Sequence, residues 1–176
     1  MRVIAGEFRS RQLKSVAGDA TRPTPERLRE ALFDILQTRI RGAVFVDAYA
    51  GTGAVGIEAL SRGAAHAYFL ESGRAALEAI RANVATLGLG RRATVAAGPV
   101  LRTLGRQEAE IFFLDPPYPL AREYGAALDL LGEKTAGLVI VQHDKRFALS
   151  DAYGGLKLTR TLRQGDNALS FFARAE

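Results

Sequence analysis

Between residues 44 and 142 short apolar runs and helical stretches take turns, and this alternation leaves few folds open to the chain. The runs Val44 to Ala48, Ala67 to Glu71, Ala93 to Ala97, Ile111 to Asp115 and Gly137 to Gln142 are rich in β-branched, aromatic and small apolar residues and have strand length. The stretches 54–62, 73–87, 99–106 and 121–132 between them read as helices. Strands joined by crossover helices pair in parallel, so the pattern predicts an α/β fold: a mostly parallel sheet with helices on both faces. The end of the chain departs from it. Leu156 to Leu162 and Ala168 to Ala173 are joined through Gln164-Gly165-Asp166, which predicts an antiparallel hairpin at the sheet edge.

The front of the chain is different again. Thr24-Pro25-Glu26 offers an N-cap, a proline at the first helical position and an acid in the first turn, opening a helix to about Thr38. Residues 2 to 15 predict two short strands around Gly6, a β extension ahead of the main fold. At 176 residues the chain is most simply one domain. Its organisation is expected to be a basic arm over residues 1–22 and one structural unit over 23–176.

Charge and composition narrow the chemistry. Of the net charge of +5, residues 1–41 carry +4, and Arg2, Arg9, Arg11, Lys14 and Arg22 there form an electrostatic footprint suited to a phosphate backbone. Cysteine is absent, which removes disulfides, thiolate ligands and a cysteine nucleophile, and His66 and His143 are the only imidazoles, so no metal site is expected. The longest aliphatic run, Leu138 to Val141, is far too short to span a bilayer, and the opening residues lack a signal core. A cytoplasmic protein, monomeric by default and without membrane partners, is the expectation.

Val44-Phe45-Val46-Asp47-Ala48-Tyr49-Ala50-Gly51-Thr52-Gly53-Ala54-Val55-Gly56 is a strand, a glycine-rich turn and a helix start, an arrangement that holds a nucleotide-like ligand at the carboxyl end of the strand. The glycines also fit the dinucleotide pattern Gly-x-Gly-x-x-Gly, which alone decides little. Asp47 favours a cationic ligand such as S-adenosylmethionine, because a carboxylate beside the turn repels a pyrophosphate and supports an ammonium group through hydrogen bonds or water. Ala50, Gly51 and Gly53 of the turn are candidate cofactor contacts. Glu71, ending the next strand, is placed to take ribose hydroxyls under either reading. After the third strand, Pro99 has no N–H, which leaves the Val100 N–H and apolar packing to meet adenine.

Asp115-Pro116-Pro117-Tyr118 closes the fourth strand and suits methylation of an exocyclic base amine. Such a nitrogen has its lone pair delocalised into the ring and must be drawn toward tetrahedral geometry before it attacks. Asp115 accepts one N–H. The Pro116 carbonyl, held outward because Pro116 and Pro117 fix φ and remove donors, accepts the other, and Tyr118 offers a face for an unstacked base. If the strand order reverses beside the first strand, this motif and the glycine turn open onto one crevice.

With these residues in place the chain resembles the bacterial RsmD family, which methylates guanine N2 in 16S ribosomal RNA. The resemblance runs from Arg2-Val3-Ile4-Ala5-Gly6 and Arg9-Ser10-Arg11 through Arg22-Pro23-Thr24, Arg27, Arg29-Glu30 and Leu32-Phe33. It continues over Asp47 to Gly56, Glu58 to Ala64, Glu71 and Asp115 to Tyr118. Ala5 and Ser10 stand where the family usually has glycine, and Pro99 replaces a usual polar residue. The resemblance implies a Rossmann-like class I S-adenosylmethionine-dependent methyltransferase with a seven-stranded, mostly parallel sheet and an N-terminal extension that helps hold RNA. The implied partner is 16S rRNA, within an assembled or assembling small subunit. Beside this, Thr24 and Arg22 read as a hydroxyl and a guanidinium near the crevice, Thr24 toward the cofactor and Arg22, with Arg9 and Arg11, toward RNA. Adenine N6 or another ribosomal guanine as target, and an RNA-binding assembly factor without turnover, are the alternative readings; a dinucleotide-dependent oxidoreductase is the remote third.

Overall fold

A computed structural model describes residues 1–16, 23–117, 121–134 and 137–176. The elements in chain order are α1 Glu26–Ile35, β1 Val44–Ala48, α2 Ala54–Ser61, β2 His66–Glu71, α3 Arg74–Thr86, β3 Ala93–Ala97, α4 Val100–Leu104, β4 Ile111–Leu114, α5 Ala121–Lys134, β5 Leu138–Asp144, β6 Ala152–Tyr153, β7 Leu156–Gln164 and β8 Asn167–Arg174. The described strands form one sheet in the order β3-β2-β1-β4-β5-β8-β7-β6. The first five pair in parallel, and β8, β7 and β6 complete the sheet antiparallel. Seven strands match the expected architecture; the two-residue β6 is an addition at the outer edge.

Strand alternation splits the core between the two faces. Phe45, Ile111, Phe113 and Ile140 pack with α1, α2 and α3 on one side, while Val46, Phe112, Leu114, Val139 and Val141 pack with α4 and α5 on the other. Both faces are covered, as an all-parallel centre requires. Order reverses at β1, where chain succession runs outward through β2 and β3 on one side and resumes at β4 on the other, so the carboxyl ends of β1 and β4 flank a switch point.

The N-terminal segment makes a single antiparallel bridge, Arg2 to Gln12, in place of two strands. Its backbone is held by side chains of the main unit. Glu58, wholly buried in α2, accepts the N–H groups of Ile4 at 2.9 Å and Ala5 at 3.1 Å. Asn83 of α3 accepts the Lys14 N–H at 2.7 Å and donates to the Thr52 carbonyl at 3.1 Å. Gly6, at φ 85°, lies so close to the Ser61 carbonyl that a Cβ would sit 2.0 Å from its oxygen. Ser10 holds φ 67°, the left-handed region that favours glycine.

Helix α1 begins at Glu26, with Pro25 at the capping position and no side-chain cap. Thr24 is therefore not the N-cap: its hydroxyl donates to Gln142 Oε1 of β5 at 2.9 Å, a buried partner that outcompetes a frayed helix end. The helix stops at Ile35, short of Thr38, because the chain tightens into turns in which Arg39 and Ile40 both donate to the Leu36 carbonyl. Helix α4 is likewise shorter than residues 99–106, with Pro99 as its cap.

Candidate active site

The glycine turn is shaped by positive φ at three places: Tyr49 at 62°, Gly51 at 59° and Gly53 at 82°. Gly53 caps α2, and a Cβ on Gly56 in the first turn of that helix would lie 2.4 Å from Phe69 Cε1 of β2. Glycine there lets helix and strand close together, while at Gly51 the added Cβ meets nothing within 4 Å and the backbone stands open to the cavity. Beneath the turn Asp47, 1% exposed, accepts the Gly56 N–H at 2.9 Å. Burial pushes its carboxyl well above the ordinary range and the Gly56 N–H pulls the other way. Asp47 thus lies behind the turn and reaches it through the helix backbone, outside the residues that wall the cavity.

Glu71 ends β2 and joins the turn to α3. Its Oε2 accepts the Gly51 N–H at 2.8 Å, and its Oε1 accepts those of Ser72 and Gly73, both at 2.9 Å. One lone pair of the carboxylate remains for a ligand hydroxyl. Ala50, Pro99 and the buried Val100 at the start of α4 line the same cavity.

The last fully paired row of the central sheet is Leu70, Ala48, Leu114 and Val141. One residue further along each strand come Glu71, Tyr49, Asp115 and Gln142, and all four line the same cavity of about 1150 Å³. Asp115 stays in line through its N–H to the Ala48 carbonyl at 3.3 Å. Burial pushes its carboxyl up to about 7. Pro116, buried, and Pro117, exposed, follow on the same wall. The glycine turn and the Asp-Pro-Pro segment therefore share one space. Tyr118 and Arg22 lie outside the described residues. Arg9 and Arg11 are exposed on the N-terminal segment, away from the cavity wall. Thr24 sits at the lip over β5.

Although the chain is basic, the described wall of the cavity is acidic: Glu71, Asp115, Glu123, Asp144 and Asp166 stand against Arg146 as the one Lys or Arg. Such a space suits a ligand carrying sulfonium and ammonium charges and resists a pyrophosphate. Arg146 is engaged with Asp144, its Nε to Oδ1 at 3.0 Å and Nη2 to Oδ2 at 2.9 Å, which holds the Asp144 carboxyl below its usual range. Among the described residues no group of His, Asp and Glu is arranged to hold a metal ion, and no helix is long and apolar enough to cross a membrane.

Sequence reasoning passed over Gln142, Tyr49 and Tyr124. Tyr49 holds its strained backbone on the cavity wall; burial first and the neighbouring Glu123 second push its phenol upward. Tyr124, buried on α5, is raised by burial and by Asp115 and Asp144. Gln142 is 6% exposed directly after the apolar run Leu138 to Val141 of β5, and a buried polar residue in that place is the signal in the sequence.

Residues 1–173 match the family described as conserved hypothetical protein 95. YlbH of Bacillus subtilis is 33% identical over 183 residues, 99% of each chain. Ribosomal RNA small subunit methyltransferase D of Escherichia coli is 39% identical over 120 residues, which is 67% of this chain and 60% of that protein. The solved structure of yhhF from Escherichia coli superposes with a TM-score of 0.87 at 31% identity, covering 99% of this chain and 97% of that one.

Proposed function

This chain belongs to the conserved hypothetical protein 95 family, and from that membership and the geometry of its cavity we propose that it transfers a methyl group from S-adenosylmethionine to the N2 amine of a guanine in small-subunit ribosomal RNA. One observation carries the reading: the glycine turn after β1 and Asp115 after β4 wall the same cavity. Its Escherichia coli relative, named ribosomal RNA small subunit methyltransferase D, supports the substrate class. The acidic wall supports the cofactor.

Glu71, Ala50, Gly51 and Val100 hold the nucleoside end of the cofactor, with Gly53 and Asp47 shaping the turn from below. When bound, S-adenosylmethionine supplies a methyl group already activated by its positive sulfur, so the protein contributes placement and charge. Asp115 in its ionised form accepts one N–H of the target amine and the Pro116 carbonyl accepts the other, which draws the nitrogen lone pair out of conjugation. Asp115 would then stabilise the positive charge that develops on nitrogen as it takes the methyl group, and the proton that the methylated amine sheds would pass to Asp115 or to water. Tyr118 belongs to the same motif and supplies the stacking face. Arg9, Arg11 and Arg22 of the 1–22 arm hold the RNA backbone, and the substrate is the small subunit, assembled or assembling, met by a monomer in the cytoplasm.

The test is methylation of small subunits from cells lacking this protein, followed by nuclease digestion and mass spectrometry. One new N2-methylguanosine is expected, and calorimetry should detect S-adenosylmethionine binding without RNA. Asp115→Ala should cut transfer by about 100-fold or more while leaving cofactor affinity nearly intact. Methylation of adenine N6 instead, or full turnover by Asp115→Ala, would overturn the reading.

A further inference from the structure

Guanine N2 differs from the other base amines in its ring neighbours. Beside it lies N1, which carries a hydrogen, whereas adenine N6 and cytosine N4 lie beside bare ring nitrogens that only accept. A pocket that takes guanine needs a second acceptor next to the one that takes the amine. The same acceptor then faces a lone pair in the wrong base, and leaves a buried polar group unpaired.

We propose that Gln142 is this specificity-determining residue, its Oε1 accepting the N1–H of the guanine whose N2 is held by Asp115. The inference rests on the guanine-N2 reading above. Three observations support it. Gln142 follows Val141, which pairs with Leu114, so it is the neighbour of Asp115 in the row that walls the cavity, on the side away from Glu71 and the cofactor turn. It is buried, and its carboxamide orientation is set from outside β5: the Thr24 hydroxyl donates to Oε1 at 2.9 Å, using one lone pair and leaving the other. Two rival acceptors on this wall are placed for other work: both Asp144 oxygens hold Arg146, and Asp166 pairs with Lys145 at 3.4 Å. A neutral acceptor also adds no charge next to Asp115, whose carboxyl burial already disfavours as an anion.

Thr24 becomes a positioning residue in this arrangement. It arrives from the segment before α1, 118 positions away in the chain, and buttresses the carboxamide against rotation.

The experiment compares two bases that both carry the N2 amine. Small subunits are reconstituted on ribosomal RNA with either guanosine or 2-aminopurine riboside at the methylated position, the second having a bare N1. Wild type should prefer guanosine by about 10- to 100-fold in kcat/KM. Gln142→Leu should bring that ratio to within about threefold of one, Gln142→Glu should keep a strong preference because a carboxylate still accepts N1–H, and Thr24→Val should lower the ratio without reaching the Leu value. A purely structural role would slow both substrates together and leave the ratio alone. Because Gln142 is buried, thermal unfolding of each variant is followed alongside, and Thr24→Val probes the ratio independently from a half-buried position. Equal use of both bases by wild type, or a ratio unmoved in the Leu and Val variants, overturns the assignment of Gln142 while guanine N2 stands. Failure of wild type to form any N2-methylguanosine despite binding S-adenosylmethionine overturns the reading beneath it.

Discussion

Glu71 and Gly51 are joined directly, carboxylate oxygen to backbone N–H at 2.8 Å, so the end of β2 sets the position of the turn that follows β1. The other carboxylate oxygen holds Ser72 and Gly73 at the start of α3. Glu71→Ala removes the tie and the proposed ribose acceptor together. S-adenosylmethionine affinity should fall by about 10- to 100-fold by calorimetry, with Glu71→Gln intermediate because its one oxygen keeps part of the set. Unaltered affinity in both variants would remove Glu71 from the cofactor site.

The raised carboxyl of Asp115 has two measurable consequences. Accepting an amine N–H needs the ionised form, so kcat/KM should rise with pH through a midpoint near 7 and level off above it. Stability should move the opposite way. The folded state holds this proton to about pH 7, whereas an unfolded aspartate releases it near 4, so the contribution of Asp115 to stability declines as pH rises between those values. Urea denaturation of Asp115→Asn should therefore match wild type near pH 4 and exceed it by about 1–3 kcal/mol at pH 8. A pH-independent difference would contradict the assigned shift.

Gly56 touches Phe69 so closely that any side chain must displace the ring. Gly56→Ala is expected to cost about 1–3 kcal/mol in denaturant titration, and Phe69→Leu added to it should recover part of the loss. Simple additivity of the two would show that the contact is not what limits the position.

Arg9 and Arg11 are exposed and make no ion pair among the described residues, unlike Arg2, which is held by Glu26 at 3.0 Å. Replacing both with alanine should weaken RNA binding and reduce the slope of log K against log salt by about 1–2, at roughly 0.7–0.9 per phosphate contact. An identical slope would take the arm out of the RNA interface.

What the sequence made legible was local. The bounds of β1 and β3 were read as they fold, since each is a compact apolar run between turn signals, and the glycine turn announced its own backbone. The union of Asp115 with that turn needed one topological inference, the reversal of strand order. What stayed hidden depends on partners far apart in the chain. Nothing near Thr24 reveals that its hydroxyl goes to Gln142, and its flanking Pro25 and Glu26 argued for a helix cap. Glu58 looks like any helix acid, yet it is buried and anchors the backbone of Ile4 and Ala5. Asp47 was legible as a strand-end carboxylate, but its inward aim followed from the packing of α2 over it.

The row Glu71, Tyr49, Asp115 and Gln142 crosses four neighbouring strands, and its spacing is inherited from the backbone ladder. Three inter-strand steps of about 4.8 Å set some 14 Å between its ends, a gauge that no side-chain replacement stretches. Descendants of this chain can alter what each of the four stations carries, and so which base is chosen or how tightly the donor is gripped. The interval between stations will outlast such tinkering for as long as the ladder itself persists.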